Sequence, residues 1–473
     1  MTEIAEAQAF RPGTGTDLGR ALDRACGGRA IPGNRVSHLV DGPLTFEAML
    51  RLIGEARHYV HFENYIIRDD RTGKRFAAEL KEAARRGVQV RVLYDALGCR
   101  STSRRFWDDL RRAGIEVHPF NPVNPLHPIA SLRRNHRKYV GADGYRAIVG
   151  GLCIGDEWSG DPARGRMPWR DTAVEVCGPA ARAIDLTFQK LWRKSGGETA
   201  TVLQASPPAQ CGEAVVRVVE GVPGRLKVYR AVELLVASAS HRLWITDAYL
   251  VAPAPLFAGL LAAARDGVDV RLLLPGRTDI PAVRAFTRVG YRELLEAGVR
   301  IWEWRGPMLH AKTAVVDDVW FKVGSSNLNL PSFLSNYELD LLLEDPKLAA
   351  EAAFQFRRDL AFATEIVLRP RRVFAPLAER LPPAVVAGGA PPEIPAHRPW
   401  ARELSQRAVL TLRQVAGGAR RSIAGALLFV SAGVGALFLA APRFMGYLVA
   451  FALLWIGVGA ARQFAARRHQ GDE

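Results

Sequence analysis

Ala84-Arg85-Arg86-Gly87-Val88-Gln89-Val90-Arg91-Val92-Leu93 returns later in the chain as Ala264-Arg265-Asp266-Gly267-Val268-Asp269-Val270-Arg271-Leu272-Leu273. Each copy reads as the end of a helix, a glycine that turns the chain, and an apolar strand. The likeness extends in both directions. Upstream, His58-Tyr59-Val60-His61-Phe62-Glu63-Asn64-Tyr65 matches His241-Arg242-Leu243-Trp244-Ile245-Thr246-Asp247-Ala248-Tyr249, and downstream Leu110 to Val117 matches Leu294 to Ile301. A repeat of this length sets the architecture before any motif is considered. Each half alternates strand, helix, strand, helix, strand, which is the order of an α/β layer. The expected fold is therefore α/β, with two duplicated lobes, each a mostly parallel mixed sheet flanked by helices.

At 473 residues the chain accommodates two domains plus extras, and 48% hydrophobic with 24% charged residues is a globular composition. The formal charge of +16 calls for a partner rich in negative charge. Nucleic acid and an anionic membrane surface both qualify, as does a plain spread of solvated arginine, and charge alone does not choose. Cys26, Cys99, Cys153, Cys177 and Cys211 are scattered, without a CxxC pair or a neighbouring histidine cluster. That pattern argues against a disulfide framework and a zinc site and fits a reducing compartment; no cofactor is expected. Met1 to Gly15 has no apolar core and carries Glu3 and Glu6, and reads as neither signal peptide nor anchor.

The far end differs. Ile423 to Ala441 and Phe444 to Ala461 are charge-free apolar runs on either side of Pro442-Arg443. Each is close to the roughly 20 residues that cross a bilayer. Arg413, Arg420 and Arg421 precede the pair, and Arg462, Arg467 and Arg468 follow it. Arginines at both outer ends place those ends in the cytoplasm. The expectation is a C-terminal transmembrane helical hairpin, with a re-entrant hairpin as the alternative. The expected division is an extension over 1–35, lobes over 36–195 and 214–370 with a linker at 196–213, and a Pro/Ala-rich linker at 371–421. The hairpin then covers 422–462 and a basic tail 463–473.

His136-Arg137-Lys138-Tyr139-Val140-Gly141-Ala142-Asp143 and His310-Ala311-Lys312-Thr313-Ala314-Val315-Val316-Asp317 both have the form H-x-K-x4-D, at the same point of the repeat. One such match is weak; two in register are not. Residues two apart on a strand share a face, so each histidine stands beside its lysine. Two histidines brought together can serve as nucleophile and proton donor, and lysines supply fixed positive charge for a phosphate in its transition state. The motif aspartates complete the candidate catalytic set. Asp143-Gly144 and Asp317-Asp318 are also turn dipeptides, which assigns Asp143 and Asp317 to shaping the turn more than to touching substrate. Further along, Gly150-Gly151-Leu152-Cys153 aligns with Gly324-Ser325-Ser326-Asn327. Ser325, Ser326 and Asn327 are the candidate phosphate-binding residues. Asp171 and Glu338 are candidate orienting carboxylates, able to fix a histidine tautomer or to sit solvated at strand ends.

The paired motifs and the Gly-Ser-Ser-Asn segment resemble the phospholipase D superfamily. Asn135-His136-Arg137-Lys138, Gly150-Gly151 followed by Ile154-Gly155-Asp156-Glu157, Trp169-Arg170-Asp171-Thr172 and Val323-Gly324-Ser325-Ser326-Asn327-Leu328 resemble the bacterial cardiolipin synthases in particular. The likeness runs from about Val36 to Arg369. It implies a bilobal fold with its active site on a pseudo-twofold axis, no metal, and a covalent phosphohistidine. It makes His136 the nucleophile and His310 the general acid, puts Lys138, Lys312 and Asn327 on the phosphate, and gives Asp171 and Glu338 the orienting role. The implied activity is phosphatidyl transfer to phosphatidylglycerol or a related lipid at the bacterial inner membrane, with the lobes in the cytoplasm. A hydrolytic phospholipase D and, less favoured, a phosphodiesterase nuclease are the alternatives; the apolar hairpin argues against nucleic acid. Two features depart from the pattern. Cys153 stands where the family places an asparagine after the first Gly-Gly, and the apolar anchor is C-terminal where many members carry it N-terminally.

Overall fold

The strands of the computed structural model, which describes residues 17–124, 126, 131–198 and 210–368, display the repeat directly. The first half contributes β1 (Ile31–Val40), β2 (Tyr59–Asn64), β3 (Gln89–Asp95), β4 (Glu116–Phe120), β5 (Tyr139–Ala142), β6 (Arg146–Gly150) and β7 (Thr172–Cys177). The second contributes β8 (Ala214–Gly221), β9 (Arg242–Thr246), β10 (Asp269–Pro275), β11 (Arg300–Trp304), β12 (Thr313–Val316), β13 (Trp320–Gly324) and β14 (Glu338–Glu344), then β15 (Ala363–Ile366). They join in the order β15-β11-β10-β9-β12-β13-β14-β8-β1-β7-β6-β5-β2-β3-β4. Read outward from the antiparallel β8–β1 pair, both arms carry corresponding strands in the same succession, with β15 added at one edge. The sequence repeat is thus a pseudo-twofold in the sheet.

Among the named strands, parallel ladders are confined to β2–β3–β4 and β9–β10–β11. The remaining ladders are antiparallel, so the expectation of a mostly parallel sheet is corrected: the sheet is mixed and mostly antiparallel. The connections explain it. A parallel step needs a crossover, supplied by helices such as Arg71–Arg85 and Ala254–Arg265, whereas short turns force antiparallel neighbours. Asp143-Gly144 joins β5 to β6 and Asp317-Asp318 joins β12 to β13, all four residues at positive φ between 49° and 65°.

Three apolar cores cover the sheet. One is built on the first arm from residues such as Phe46, Leu52, Phe76 and Val92. A second is built on the other arm from Leu235, Leu260, Leu272 and Ile301. The third is common property: Phe188 and Trp192 of helix Pro179–Lys194 share it with Ala353 and Phe356 of helix Pro346–Ala361 and with Val176, Val216 and Leu341. Buried ion pairs cross the same centre, Arg137 to Glu220 at 3.1 Å and Arg170 to Asp359 at 2.8 Å. The halves therefore form one compact unit, which ends at Val367.

The extension expected over 1–35 is, in its described part, no appendage. Helix Asp17–Cys26 packs on helix Lys227–Ser238, with Leu22 and Cys26 inside the second half's core, and β1 from Ile31 is a central strand. Pro32, Gly33 and Asn34 hide that strand from a propensity reading. Most of the 196–213 linker, and the linker, hairpin and tail over 371–473, lie outside the described residues. Among the described residues no helix is long and apolar enough to cross a membrane.

Candidate active site

The motif histidines lie on extended chain leading into β5 and β12, and each segment is held against the opposite half. Asn135 bridges Tyr337, just before β14, and Leu309 bridges Arg170, just before β7. The next residue in each case is the histidine: His136 N–H donates to Tyr337 O at 2.9 Å, and His310 N–H to Arg170 O at 2.7 Å. Because the partner strand comes from the other half, so does the carboxylate that follows. His136 Nδ1 lies 3.0 Å from Glu338 Oε2, and His310 Nδ1 lies 2.7 Å from Asp171 Oδ2. Each carboxylate accepts the Nδ1 proton, which leaves Nε2 of each ring as the reactive nitrogen. Lys138 Nζ and Lys312 Nζ donate to the carbonyls of His136 and His310 respectively.

Burial is the first cause of the histidine and lysine shifts in this cluster. It pushes His310 down to about 4, with Lys312 adding to the effect and Asp171 opposing it. His136 is lowered as well, against the pull of Glu338. Burial lowers Lys138, and lowers Lys312 to about 8, where Asp171 opposes the shift and Lys138 reinforces it. The carboxylates also move down, but against burial. Burial alone would raise Glu338, but His136, Lys138 and the Ser325 hydroxyl hold it at about 2. Asp171 is lowered against burial by His310, Lys312 and the Thr172 N–H. The site thus holds two neutral imidazoles, two ionised carboxylates and two ammonium groups: a basic floor suited to a phosphodiester, with a bare nitrogen available for attack.

Several other residues depart from expectation or were not singled out. Asp143 and Asp317 do not join the cluster. Asp143 accepts N–H bonds from Arg57, His58 and Tyr59, each at 2.9 Å, and Asp317 accepts from Ser240, His241 and Arg242 at 2.7 to 2.8 Å. They brace the chain entering β2 and β9, at the far end of the motif strand from the lysines, which corrects their place in the catalytic set. Ser325 and Ser326 are also corrected as phosphate ligands. Both are fully buried, with their hydroxyls donating to Glu338 and Asp340. A side chain already spent on a buried carboxylate supports the site from behind. Asn327 is different: its side-chain carbonyl is buried without a hydrogen-bond partner. Cys153, its counterpart, is a buried thiol whose pKa burial raises.

Tyr65 lies 4.9 Å from the His136 ring and 5.2 Å from Lys138 Nζ; Tyr249 lies 6.0 Å from the His310 ring and 5.9 Å from Lys312 Nζ. The two tyrosines are pseudo-twofold mates. Trp158 and Trp169 further enclose His310 at 5.5 and 5.9 Å, and Trp158 Nε1 donates to Asp171 at 3.0 Å. Glu338 takes two more donors, Ser332 Oγ at 2.7 Å and Asn336 Nδ2 at 3.1 Å. The repeat alignment brought the tyrosines together, but nothing in the motif spacing marks the other four. Among the described residues no group of three or more His, Cys, Asp or Glu side chains is arranged to hold a metal ion.

Comparison with known proteins places these features in context. A family model described as cardiolipin synthase, PLD-like domain, matches residues 49–156 and 234–360. The cardiolipin synthase of Halalkalibacterium halodurans is 35% identical over 335 residues, 69% of this chain and 66% of that protein. That of Geobacillus kaustophilus is 37% identical over 314 residues, 64% of this chain and 62% of that protein. The chain therefore spans a little under two thirds of these relatives. Cardiolipin synthase A of Pseudomonas aeruginosa is 34% identical over 373 residues, covering 78% of this chain and 76% of that one. The crystal structure of a phosphatidylserine synthase from Haemophilus influenzae Rd KW20 superposes with a TM-score of 0.59 over 74% of this chain and 92% of that one. At 14% identity it is a likeness of fold.

Proposed function

The chain belongs to the cardiolipin synthase family with its phospholipase D-like domain, and on that premise we propose that it is a phosphatidyltransferase. The observation that carries the proposal is the crossed pairing, each histidine oriented by a carboxylate of the opposite half. In the first step His136 Nε2 attacks the phosphorus of a phosphatidylglycerol. An N–P bond forms, the P–O bond to the glycerol headgroup breaks, and His310 Nε2–H gives its proton to the departing oxygen. In the second step the primary hydroxyl of another phosphatidylglycerol gives its proton to His310 Nε2, and its oxygen attacks phosphorus. The N–P bond breaks and the new diester is cardiolipin.

The incoming phosphodiester supplies the negative charge that lets His310 carry a proton at neutral pH. The low proton affinity of His310 then makes it a strong acid toward the leaving oxygen. Lys138, Lys312 and Asn327 take the non-bridging oxygens in this scheme. Giving the nucleophile to the first half follows the family resemblance; the pseudo-twofold site accommodates the reverse. The proposed organisation keeps the two lobes as one catalytic unit, followed by the 371–421 linker, the 422–462 hairpin and the basic tail. The charge-free runs and flanking arginines support anchorage in an anionic bacterial inner membrane, with the lobes on the cytoplasmic side.

Mass analysis of lipids formed by the purified protein from phosphatidylglycerol is the test. Cardiolipin with released glycerol is expected, unaffected by chelator. Phosphatidic acid as the main product would replace transfer with hydrolysis, and chelator inhibition reversed by a divalent ion would overturn the scheme.

A further inference from the structure

Helix Pro281–Val289 is built inside out. Ala282, Ala285, Phe286 and Val289 fall at i, i+3, i+4 and i+7 on one face, and that face points to solvent. Phe286 is 58% exposed and Val289 60%, with Ile280 exposed just ahead of them. The side turned to the body carries Val283, Arg284 and Thr287, all only half-buried, and the helix has no buried residue at all. The first half has no helix at the matching place: its Arg104–Arg112, which buries Phe106, Trp107 and Leu110, aligns with the next helix of the second half, Tyr291–Glu296, which buries Tyr291 and Leu294 in the ordinary way. An outward apolar face on one half only is the mark of an interaction surface.

Its attachments are polar and lead to the active site. Tyr249 OH donates to Asp279 at 2.7 Å, and Thr287 Oγ1 donates to Leu250 O at 2.7 Å. Tyr249 is the ring that faces His310. Val251 and Leu330 continue the exposed apolar surface along the same lip, joined through the Val251–Asn329 bridge.

Charge identifies the occupant. Arg277, Arg284 and Arg288 line a concavity beside the helix, and the helix contains no acidic residue. Glu303 lies beneath and pairs with Arg288 and Arg284 at 2.5 and 3.7 Å; Arg277 is exposed and has no ion pair among the described residues. An apolar ridge edged by guanidinium groups suits the boundary between acyl chains and phosphates. Nucleic acid would meet the arginines but leave Phe286 and Val289 in water.

We propose that helix Pro281–Val289 and the lip beside it seat the catalytic unit on an anionic phospholipid bilayer, delivering headgroups to the second half of the active site. The choice of lipid as occupant rests on the phosphatidyltransferase reading; the inverted helix stands apart from it.

The test is photo-crosslinking of the full-length protein in phosphatidylglycerol-containing vesicles, with a benzophenone amino acid replacing Phe286. A phospholipid adduct is expected there, and little or none when the same group replaces Leu44, which is equally exposed on the first half. An adduct to the chain's own residues, to a second copy or to added duplex DNA would overturn the proposal, as would equal lipid labelling at both positions. A second arm uses Phe286→Asp, whose solvent-facing position keeps the fold out of the question. Turnover of phosphatidylglycerol in bilayers is expected to fall about tenfold, while short-chain phosphatidylglycerol below its micelle concentration is turned over as by wild type. An equal fall on both substrates would count against docking. If the wild type transfers neither, the phosphatidyltransferase reading falls and the crosslink alone decides the surface.

Discussion

The two halves of the candidate site agree around the histidines and disagree one layer behind. In front, each offers a histidine, a lysine, a tyrosine and a carboxylate given to the other half's histidine. Behind, the first half is apolar and small: Ile148, Gly151, Leu152, Cys153 and Ala173. The second half answers at the same positions with Lys322, Ser325, Ser326, Asn327 and Asp340. The carboxylates show why both solutions work. A Cβ on Gly151 would come within 2.2 Å of Asp171, so the shorter acid occupies the space that Ser325 fills beside the longer Glu338. Ser325 then donates to Glu338, and Ser326, Lys322 and Asp340 form a buried polar network with no counterpart across the axis. The repeat supplies a symmetric pair of imidazole rings, and in the proposed scheme the polar network behind them makes the second half the better holder of phosphate.

Removing a ring is the severest break. His136→Ala should abolish transfer and any covalent labelling by a phospholipid donor. His310→Ala should lower steady-state turnover by about 10²–10⁴-fold, with labelling surviving for a donor whose leaving group needs no proton. Mass mapping of the adduct decides between the halves: a phosphatidyl group on His310, with none on His136, would reverse their roles. The carboxylates come next. Glu338→Gln and Asp171→Asn each put an amide against Nδ1 and favour the wrong tautomer, so each should lower kcat by about 10²-fold or more. Glu338→Gln should lower the melting temperature more than Asp171→Asn, because the side chains of Ser325, Ser332 and Asn336 all donate to Glu338, whereas among the described residues, besides the histidine, only Trp158 donates a side-chain bond to Asp171.

The lysines separate the halves by pH. Lys312 must be charged to hold phosphate, and burial brings its pKa to about 8. As pH rises through that value the proton is lost, so kcat/KM, which reports the free enzyme, should fall about tenfold per unit on the alkaline side. Lys312→Arg should move this limb upward, since a guanidinium keeps its charge. A limb that stays in place in that variant would assign it to another group.

Much of this was legible in the residues because the repeat doubled every signal. His136, Lys138, His310, Lys312, Asp171 and Glu338 recur at matching positions, and strands that cross the centre bring them together as paired. The misreadings have a common cause. A linear pattern shows that Ser325 and Ser326 carry donors, but whether a donor faces substrate or a carboxylate behind it is settled by burial against β14. Strand direction is hard to read because helical crossovers dominate the repeat by length, while most antiparallel ladders join strands distant in sequence and only two, β5–β6 and β12–β13, are closed by the turns at Asp143 and Asp317. β1 is hidden from a linear reading because its place at the centre of the sheet comes from partners far away in sequence, Cys177 and Val216 among them. Trp158 and Ser332 touch the site through contacts no spacing rule encodes.

The mildest test exchanges the residues at which the halves differ most simply. Asn327→Cys would make the second half resemble the first, removing an amide whose carbonyl is buried without a hydrogen-bond partner. Phosphate would lose a donor there, and kcat/KM should fall about tenfold, equivalent to about 1.4 kcal/mol. Cys153→Asn runs the other way. The thiol is protonated and buried beside Lys138, so it contributes little to an anion, and an asparagine must fit an amide where Leu152 and Ile154 pack closely. If the second half already holds the phosphate, the added donor is redundant, and kcat/KM should change by no more than about threefold, under 1 kcal/mol. A tenfold gain from Cys153→Asn in a protein of unchanged melting temperature would mean that the first half is an impaired copy. A matching loss from both exchanges would mean that the thiol is the fitted partner of the Asn327 amide, each half shaped to one end of an unsymmetrical substrate.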